Sequence, residues 1–227
     1  MPRTARAAVG GICYHVINRG NGRMKVFHSD EDHRGFLDLL LAANERVSMR
    51  LLSFCLMSNH FHLVLWPRDD GDLSRYMQWL LTSHVRRYHR QRGGRSSGHV
   101  WQGRFKAFPI QQDVHLLTAM RYVERNPLRA KLVRRAEDWP WSSAWRGQPK
   151  HAAGLLADGP VDVPRDWLRR LNTPQTEAEE AAVRRSIVRG TPLGTEAWTL
   201  RTAAKLDLES TIRPRGRPRR EPTEQKK

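Results

Sequence analysis

The sequence predicts an α+β fold in which helices pack on one face of an antiparallel sheet. Short apolar segments typical of strands alternate with amphipathic segments typical of helices, in the order strand, helix, strand, strand, helix, strand, helix. This order is typical of a ferredoxin-like sandwich. A chain of 227 residues is long enough for one such domain and a smaller appendage.

The first half of the predicted domain contains a strand, a helix and a hairpin. Residues 12–17 form the first strand, which ends in a turn-rich segment. Ser29 is a predicted N-cap, because acidic residues and then a periodic apolar stripe follow it. Residues 51–57 and 60–66 are two strands separated by only two residues, which predicts an antiparallel hairpin.

The second half continues with a helix, a basic loop, a strand and a further helix. The second helix begins near Asp72 and leads into a basic, glycine-containing loop at residues 86–95. A strand at residues 100–108 places aromatic residues between basic ones, and the third helix begins near Asp113. The tryptophan-containing segment at residues 138–143 is expected to close this unit.

The composition changes near residue 148, which predicts three units along the chain. Residues 1–147 form the main domain, and residues 148–212 form a helical extension that is a candidate for a helix-turn-helix-like DNA-binding module. The basic tail at residues 213–227 has little to bury and is expected to be disordered when free.

The net charge of +17 and the pI of about 11.1 indicate a polyanionic partner. A membrane surface is the alternative, but it requires a helix with a bulky apolar face and a basic face, and no segment fits well. The charge therefore favours nucleic acid.

The remaining composition indicates a cytoplasmic protein. No segment resembles a signal peptide, and no apolar run approaches the roughly 20 residues that cross a bilayer. Cys13 and Cys55 lie in strand-like segments without metal-ligand spacing. They are predicted to be buried free thiols, which suit a reducing bacterial cytoplasm and, with the charge, a nucleoid-associated protein.

Two histidines interrupt the apolar strand at residues 60–66. Because side-chain direction repeats every two residues in a strand, His60 and His62 point to one face while Phe61 and Leu63 point to the other. A divalent metal would satisfy both imidazoles at once. The alternative is that one histidine is a hydrogen-bonded core residue and the other lines a crevice.

The third predicted helix contains a second pair of candidate residues. Tyr122 and Asn126 are four residues apart and share a face if the helix persists. A tyrosine hydroxyl can attack a phosphodiester, and an asparagine oxygen can complete a metal shell. Alternatively, Tyr122 is a packing residue, and Asn126 is the N-cap of a new helix that has Pro127 at its first position.

Three motifs in this order resemble a known family. His60-Phe61-His62 looks like the HUH motif of the HUH endonuclease superfamily. Together with residues 101–105 (Trp-Gln-Gly-Arg-Phe) and 122–127 (Tyr-Val-Glu-Arg-Asn-Pro), it is similar to the REP-associated tyrosine transposases, relatives of the single-tyrosine insertion-sequence transposases. The resemblance covers about residues 10–147.

The resemblance implies a site and a reaction. His60 and His62 would hold a divalent metal, Mg²⁺ or Mn²⁺, Tyr122 would be the nucleophile, and Asn126 stands where a third metal ligand is expected. The implied activity is that of a single-stranded DNA endonuclease and strand transferase that forms a 5′-phosphotyrosine, often at the foot of a hairpin from a repetitive extragenic palindrome. Tyr88 is the strongest competing tyrosine, because arginines surround it.

Three other functions compete with this one. A non-catalytic DNA-binding regulator would keep the fold without the chemistry. A replication or conjugation nicking enzyme of the same superfamily would carry further domains, and an RNA-binding module of the same fold would leave the histidine and tyrosine motifs unexplained. The oligomeric state, monomer or homodimer, stays open.

Basic and aromatic residues predict a DNA-binding surface, because they offer phosphate contacts and stacking faces. The alternative is a solvated basic face beside core aromatics. In the tail, residues 215–218 (Arg-Gly-Arg-Pro) resemble the core of an AT-hook. The predicted DNA-binding residues are Arg86, Arg87, Arg90, Arg92, Arg95, Trp101, Arg104, Lys106, Arg215 and Arg217.

Overall fold

The computed structural model describes residues 8–93, 98–145, 147 and 154–213, and its centre is a four-stranded antiparallel sheet. The strands are β1 (Cys13–Arg19), β2 (Met49–Met57), β3 (His60–Pro67) and β4 (Lys106–Ile110). Their order is β2-β3-β1-β4, so β3 lies between β1 and β2 as in a split βαβ unit. The predicted α+β class and the antiparallel sheet are confirmed.

Seven α-helices occur in the described residues. They are α1 (Asp30–Arg46), α2 (Asp72–Gln91), α3 (Val114–Glu124), α4 (Asn126–Arg129), α5 (Trp167–Asn172), α6 (Glu177–Arg189) and α7 (Glu196–Lys205). The first helix begins at the predicted N-cap, where Ser29 and Asp32 form a reciprocal capping box. The predicted hairpin is also present, since Met57 of β2 pairs with His60 of β3 across a two-residue turn.

The helices lie on both faces of the sheet, not on one. Phe61 and Leu63 of β3 join the core beneath α1 and α2, whereas Val64 joins a second core that contains Phe108 of β4 and Val123 of α3. The prediction of one covered face is therefore wrong. Because the central strands carry large apolar side chains in both directions, each face requires a cover.

The prediction of a basic loop at residues 86–95 is wrong for residues 86–91, because α2 continues to Gln91. His84 and Tyr88 are four residues apart and both buried, so the apolar stripe of α2 extends through the arginine-rich segment. The predicted strand at residues 100–108 is shorter than expected. It begins at Lys106, and before it only Trp101 forms an isolated bridge.

Loops cover both edges of the sheet. The predicted closing segment lies along β2, where the backbone N–H of Leu56 donates to Trp141 O and that of Ser143 donates to Phe54 O. Along β4, the N–H of Leu193 donates to Pro109 O. These contacts satisfy part of the backbone of each edge strand within the chain itself.

The described part of the C-terminal extension packs on the α3 face. Arg121 of α3 donates to the carbonyl oxygens of Arg170 and Thr173, at 2.8 and 2.7 Å. The extension is helical, as predicted, and contains α5, α6 and α7. The helix-turn-helix-like role stays a prediction, and no described helix is long and apolar enough to cross a membrane.

Candidate active site

The α3 face of the sheet brings the two predicted histidines next to Tyr122. The ring centroids of His60 and His62 are 5.1 Å apart, with the ring planes at 82°, and the ring of Tyr122 lies 6.1 Å from that of His62. His62 and Tyr122 are buried, while His60 is half-buried. The predicted shared direction of the two histidines is confirmed, and the nearest tyrosine comes from the facing helix.

The other three tyrosines lie in the core beneath α1 and α2. Tyr14 donates its hydroxyl to Val9 O, and Tyr76 donates to Leu40 O. Tyr88, the predicted competitor, is buried in the same core, and the guanidinium carbon of Arg92 lies 3.8 Å from its ring centroid. Tyr122 is therefore the one tyrosine of four on the histidine face.

A third histidine, which the sequence did not indicate, completes the cluster. His15 of β1 is fully buried, and its Nε2 lies 2.7 Å from Nδ1 of His62, so the two rings share one hydrogen bond. If Nδ1 of His62 carries the proton, Nε2 of His62 is left with a lone pair for a metal. Only the register between β1 and β3 brings residues 15 and 62 together.

Burial keeps these imidazoles neutral. It lowers the pKa of His15 to about 3 and that of His60 to about 4, and it lowers the pKa of His62 well below the usual histidine range. The positive charge of Arg129 lowers all three further. Neutral imidazoles are the form that binds metals, so the cluster can bind one without first losing protons.

These histidines predict an acid-sensitive fold. Their pKa is lower in the folded than in the unfolded chain, so the unfolded chain binds more protons below about pH 6.5, and stability falls as the pH drops toward 4. For His60 alone, the lowering of the pKa corresponds to on the order of 3 kcal/mol in the free energy of unfolding. The urea midpoint should therefore be lower at pH 4.5 than at pH 7, and equal midpoints would contradict neutral burial.

Both ends of the Asn126 carboxamide have hydrogen-bond partners. The third helix ends at Glu124, Arg125 is the N-cap of α4, and Asn126 is the first residue of α4, so Asn126 is not itself an N-cap. Its Nδ2 donates weakly to Tyr122 O at 3.4 Å, and its Oδ1 accepts a hydrogen bond from Nη2 of Arg129 at 2.8 Å. The carboxamide oxygen thus already has a cationic partner.

Two arginines bring positive charge to the histidines. The guanidinium carbon of Arg129 lies 3.9 Å from the ring centroid of Tyr122, which is a cation–π contact. Arg19, the last residue of β1, is the register partner of His60. Its charge also lowers the pKa of His60 and of His62. Neither arginine was among the predicted site residues.

A buried carboxylate fixes the helix that carries Tyr122. Glu124 is 3 % exposed, and its Oε1 accepts hydrogen bonds from Ser53 of β2 at 2.9 Å and from Ser143 at 2.6 Å. Its Oε2 accepts one from Nε1 of Trp167 in the extension at 2.7 Å. Burial raises the pKa of Glu124. This carboxylate ties α3 to the sheet and to the extension, two residues from Tyr122.

The residues present fit a divalent ion held by two imidazoles. His60 and His62 offer neutral rings, whereas no third histidine, cysteine, aspartate or glutamate among the described residues is placed to share a metal ion with them. The remaining ligands would be water and substrate oxygens, as is usual for Mg²⁺. Nitrogen ligands favour Mn²⁺ over the harder Mg²⁺.

The predicted DNA-binding residues do not form one surface. Lys106 is exposed and shares its strand face with Phe108, on the histidine side, and Arg104 is exposed nearby in sequence. On the other helix layer, one groove of α2 is lined by Arg86, Arg87 and Arg90.

Two further predictions change with the structure. Trp101 is 5 % exposed and packs edge-on against Phe61 at 5.2 Å, so it is a core residue and not an exposed stacking face. Arg92 pairs with Asp32 at 3.5 Å. The predicted Arg95, Arg215 and Arg217 lie outside the described residues.

The fold and the site together define a class of α+β domain. In this class, a strand of an antiparallel sheet carries two histidines on one face, and a helix packed on the same face carries a tyrosine. Comparison with known families identifies the family. The profile of the family described as "Transposase IS200 like" matches residues 8–126, which is 119 of the 227 residues. The chain belongs to this family.

Two individual proteins are similar to the chain. A Haemophilus influenzae protein assigned to the REP-associated tyrosine transposases is 26% identical over 110 residues, which is 45% of this chain and 62% of the relative. The chain therefore spans about three-fifths of that relative's length. A solved REP-associated tyrosine transposase bound to a REP hairpin has a TM-score of 0.52 at 18% identity, covering 72% of this chain and 95% of that one. This second likeness supports the fold.

Proposed function

We propose that the protein is a metal-dependent endonuclease and strand transferase that acts on single-stranded, hairpin-forming DNA. One observation carries the proposal: Tyr122, alone among the four tyrosines, lies beside the paired histidines, 6.1 Å from His62 between ring centroids. Membership in the IS200-like transposases and the net charge of +17 support a DNA substrate. The names of the two similar proteins favour a hairpin from a repetitive palindrome.

The proposed reaction is a transesterification at the Tyr122 hydroxyl. The hydroxyl loses its proton to solvent, its oxygen forms a bond to phosphorus, and the bond from phosphorus to the 3′ oxygen breaks. The 3′ oxygen takes a proton from solvent, which leaves a 3′-hydroxyl and a 5′-phosphotyrosine. Attack by another 3′-hydroxyl reverses these steps and joins two strands without an external energy source.

The chain's own residues supply the position of the nucleophile and of the metal ligands. Glu124 fixes α3, and the cation–π contact with Arg129 restrains the ring of Tyr122. His60 and His62 would hold Mg²⁺ or Mn²⁺. When bound there, the ion would polarise a non-bridging oxygen of the scissile phosphate. Asn126 remains the proposed third ligand, because its oxygen has two lone pairs and Arg129 takes only one of them.

Two exposed cationic side chains at one end of the sheet would contact the phosphates of the single-stranded DNA. Lys106 and Arg104 lie next to the end of β1, where Asn18 donates to the carbonyl oxygen of Gly103 at 3.2 Å. Phosphate contacts from such residues bind without sequence preference and weaken with salt. The α2 arginines would contact DNA that continues around the other helix layer.

A covalent-adduct assay tests the proposed function. The full chain is incubated with oligonucleotides that carry a palindromic hairpin and single-stranded flanks, in the presence of Mn²⁺ or Mg²⁺. We expect a protein–DNA species that survives denaturation and a free 3′-hydroxyl on the released fragment. If neither product forms with either metal, the protein is a DNA-binding regulator and not a nuclease.

The His15–His62 hydrogen bond predicts a second effect, on metal affinity. Substituting His15→Phe removes the group that holds the proton on Nδ1 of His62, so Mn²⁺ affinity should fall about 10- to 100-fold. His15→Gln should restore much of it, because the amide oxygen can accept the same hydrogen bond. Titration followed by the electron paramagnetic resonance of free Mn²⁺ measures both variants.

A purely structural role for His15 gives a different result. In that situation both variants would lower the thermal midpoint while the Mn²⁺ affinity of the folded fraction stays that of the wild type. Wild-type affinity in His15→Phe would therefore rule out a positioning role for this residue.

A further inference from the structure

Two guanidinium groups at the candidate active site have no acidic partner among the residues that the structure describes. Arg19 ends β1 beside His60, and the guanidinium of Arg129 covers the ring of Tyr122. Within the described residues neither arginine forms an ion pair. The two guanidinium groups therefore give this part of the site a positive charge. Uncompensated charge beside buried groups is unfavourable and marks a position for an anion.

Each of these arginines also has a buried N–H that finds no acceptor among the described residues. These groups are Nε of Arg19 and Nη1 of Arg129, which are inaccessible to solvent and have no hydrogen-bond partner in the part of the chain that the structure describes. Buried donors are almost always satisfied in folded proteins, and those on charged groups are the most costly to leave unpaired. Two such donors on one sheet face indicate a ligand with several acceptor oxygens.

The position of Arg129 is itself fixed by the fold. Its Nη2 donates to Oδ1 of Asn126 at 2.8 Å, and its guanidinium lies over the ring of Tyr122, 3.9 Å from the centroid. The remaining N–H groups are held in a plane next to the nucleophile's ring. Guanidinium groups in such a fixed fork bind phosphate through paired hydrogen bonds. Asn126 is thereby a positioning residue for Arg129.

We propose that Arg19 and Arg129 bind the non-bridging oxygens of the scissile phosphate, with Arg129 on the side of Tyr122 and Arg19 on the side of His60. This inference rests on the proposed nuclease function and names two further residues for it. As the tyrosine–phosphorus bond forms and the bond to the 3′ oxygen breaks, Arg129 stabilises the charge on the phosphoryl oxygens. Arg19 holds the same group against the histidine pair.

The same charges have a second consequence, for metal binding. Two guanidinium groups repel a divalent cation, so they weaken metal binding in the free protein. A bound phosphodiester neutralises one of these charges, so DNA and metal should bind with positive cooperativity. The arginines therefore serve the phosphate, and their removal should not harm the metal site.

The test uses the full chain carrying Arg129→Gln or Arg19→Gln. We expect Arg129→Gln to lower the single-turnover cleavage rate about 100-fold and Arg19→Gln about 10-fold, while Mn²⁺ affinity without DNA is unchanged or higher. Arg129→Lys keeps the positive charge but not the forked, planar guanidinium, so its cleavage rate should lie between those of the wild type and Arg129→Gln. Arg184→Gln on α6, which only breaks an exposed pair with Glu180, is the matched control and should cleave normally.

A neutral phosphate analogue identifies which phosphate the arginines bind. In the uncleaving Tyr122→Phe background, oligonucleotides carry a methylphosphonate at the scissile position or one nucleotide to either side. We expect Arg129→Gln to weaken binding of every oligonucleotide except the one that is neutral at the scissile position. If its effect disappears at a flanking position instead, Arg129 binds a flanking phosphate and the proposal is wrong.

Two results would overturn the inference while leaving the nuclease function intact. Adduct formation at the wild-type rate in both glutamine variants would remove the arginines from the reaction. Loss of Mn²⁺ affinity in Arg129→Gln, together with a lower thermal midpoint, would give Arg129 a structural role through Asn126. Absence of any adduct with the wild-type protein would instead overturn the proposed function itself.

Discussion

Tyr122→Phe is expected to abolish cleavage and the covalent adduct while leaving DNA affinity within about threefold of the wild type. The substitution removes one hydroxyl from a buried ring that keeps its contacts with His62 and with the guanidinium of Arg129. Without the nucleophile no phosphotyrosine can form, so the rate should fall by several orders of magnitude. Single-turnover cleavage of a labelled hairpin oligonucleotide and a denaturing gel measure both quantities.

Tyr88→Phe is the matched control for this substitution. Tyr88 is buried in the core beneath α1 and α2, with Arg92 over its ring, so losing its hydroxyl should leave adduct formation unchanged. If the adduct persists in Tyr122→Phe and is lost in Tyr88→Phe, the nucleophile is Tyr88 on α2. The histidine face would then lose its catalytic assignment.

Local patterns along the chain were sufficient to predict most of the secondary structure. The N-cap at Ser29, the two-residue turn before His60 and the start of a helix near Asp113 are short-range signals, and the structure has all three. The alternation of β3 also predicted that His60 and His62 share a face. These features depend on contacts between neighbours in the sequence.

Features that depend on the packing of distant elements could not be predicted. His15 lies 47 residues before His62, and their hydrogen bond follows from the β1–β3 register. The position of α3 opposite α1 and α2 depends on which face of the sheet each helix covers, and periodicity alone does not decide that. The resemblance pointed to Tyr122, and the packing shows that the other three tyrosines lie in the core on the opposite face of the sheet.

Two predicted site residues have neighbours that the sequence did not indicate. Trp101 lies among basic residues in the sequence, yet it packs against Phe61, because the segment around it crosses the end of β1 and turns the indole inward. The oxygen of Asn126, which the resemblance makes a metal ligand, accepts a hydrogen bond from Arg129, and its role as a ligand stays a prediction. In both positions the neighbour comes from outside the motif.

Removing either histidine of the pair is expected to abolish metal binding and, with it, metal-dependent cleavage. His60→Ala and His62→Ala each leave a single imidazole in a positively charged site, so Mn²⁺ affinity should fall at least about 100-fold. Because nitrogen ligands favour Mn²⁺, the wild type should also reach half-maximal cleavage at a lower concentration of Mn²⁺ than of Mg²⁺. Metal titrations of binding and of cleavage measure both effects.

The two histidine variants should differ in stability although they share the metal defect. His62 is 3 % exposed and binds His15, so His62→Ala leaves a buried cavity and an unpaired imidazole, whereas His60 is half-buried. His115→Ala, at the other end of α3, is the control and should keep wild-type Mn²⁺ affinity. If both variants lose Mn²⁺ affinity equally while their thermal midpoints differ, the loss of affinity comes from the missing metal ligand and not from the lost packing. Wild-type affinity in either pair variant would show that the histidines do not hold the metal.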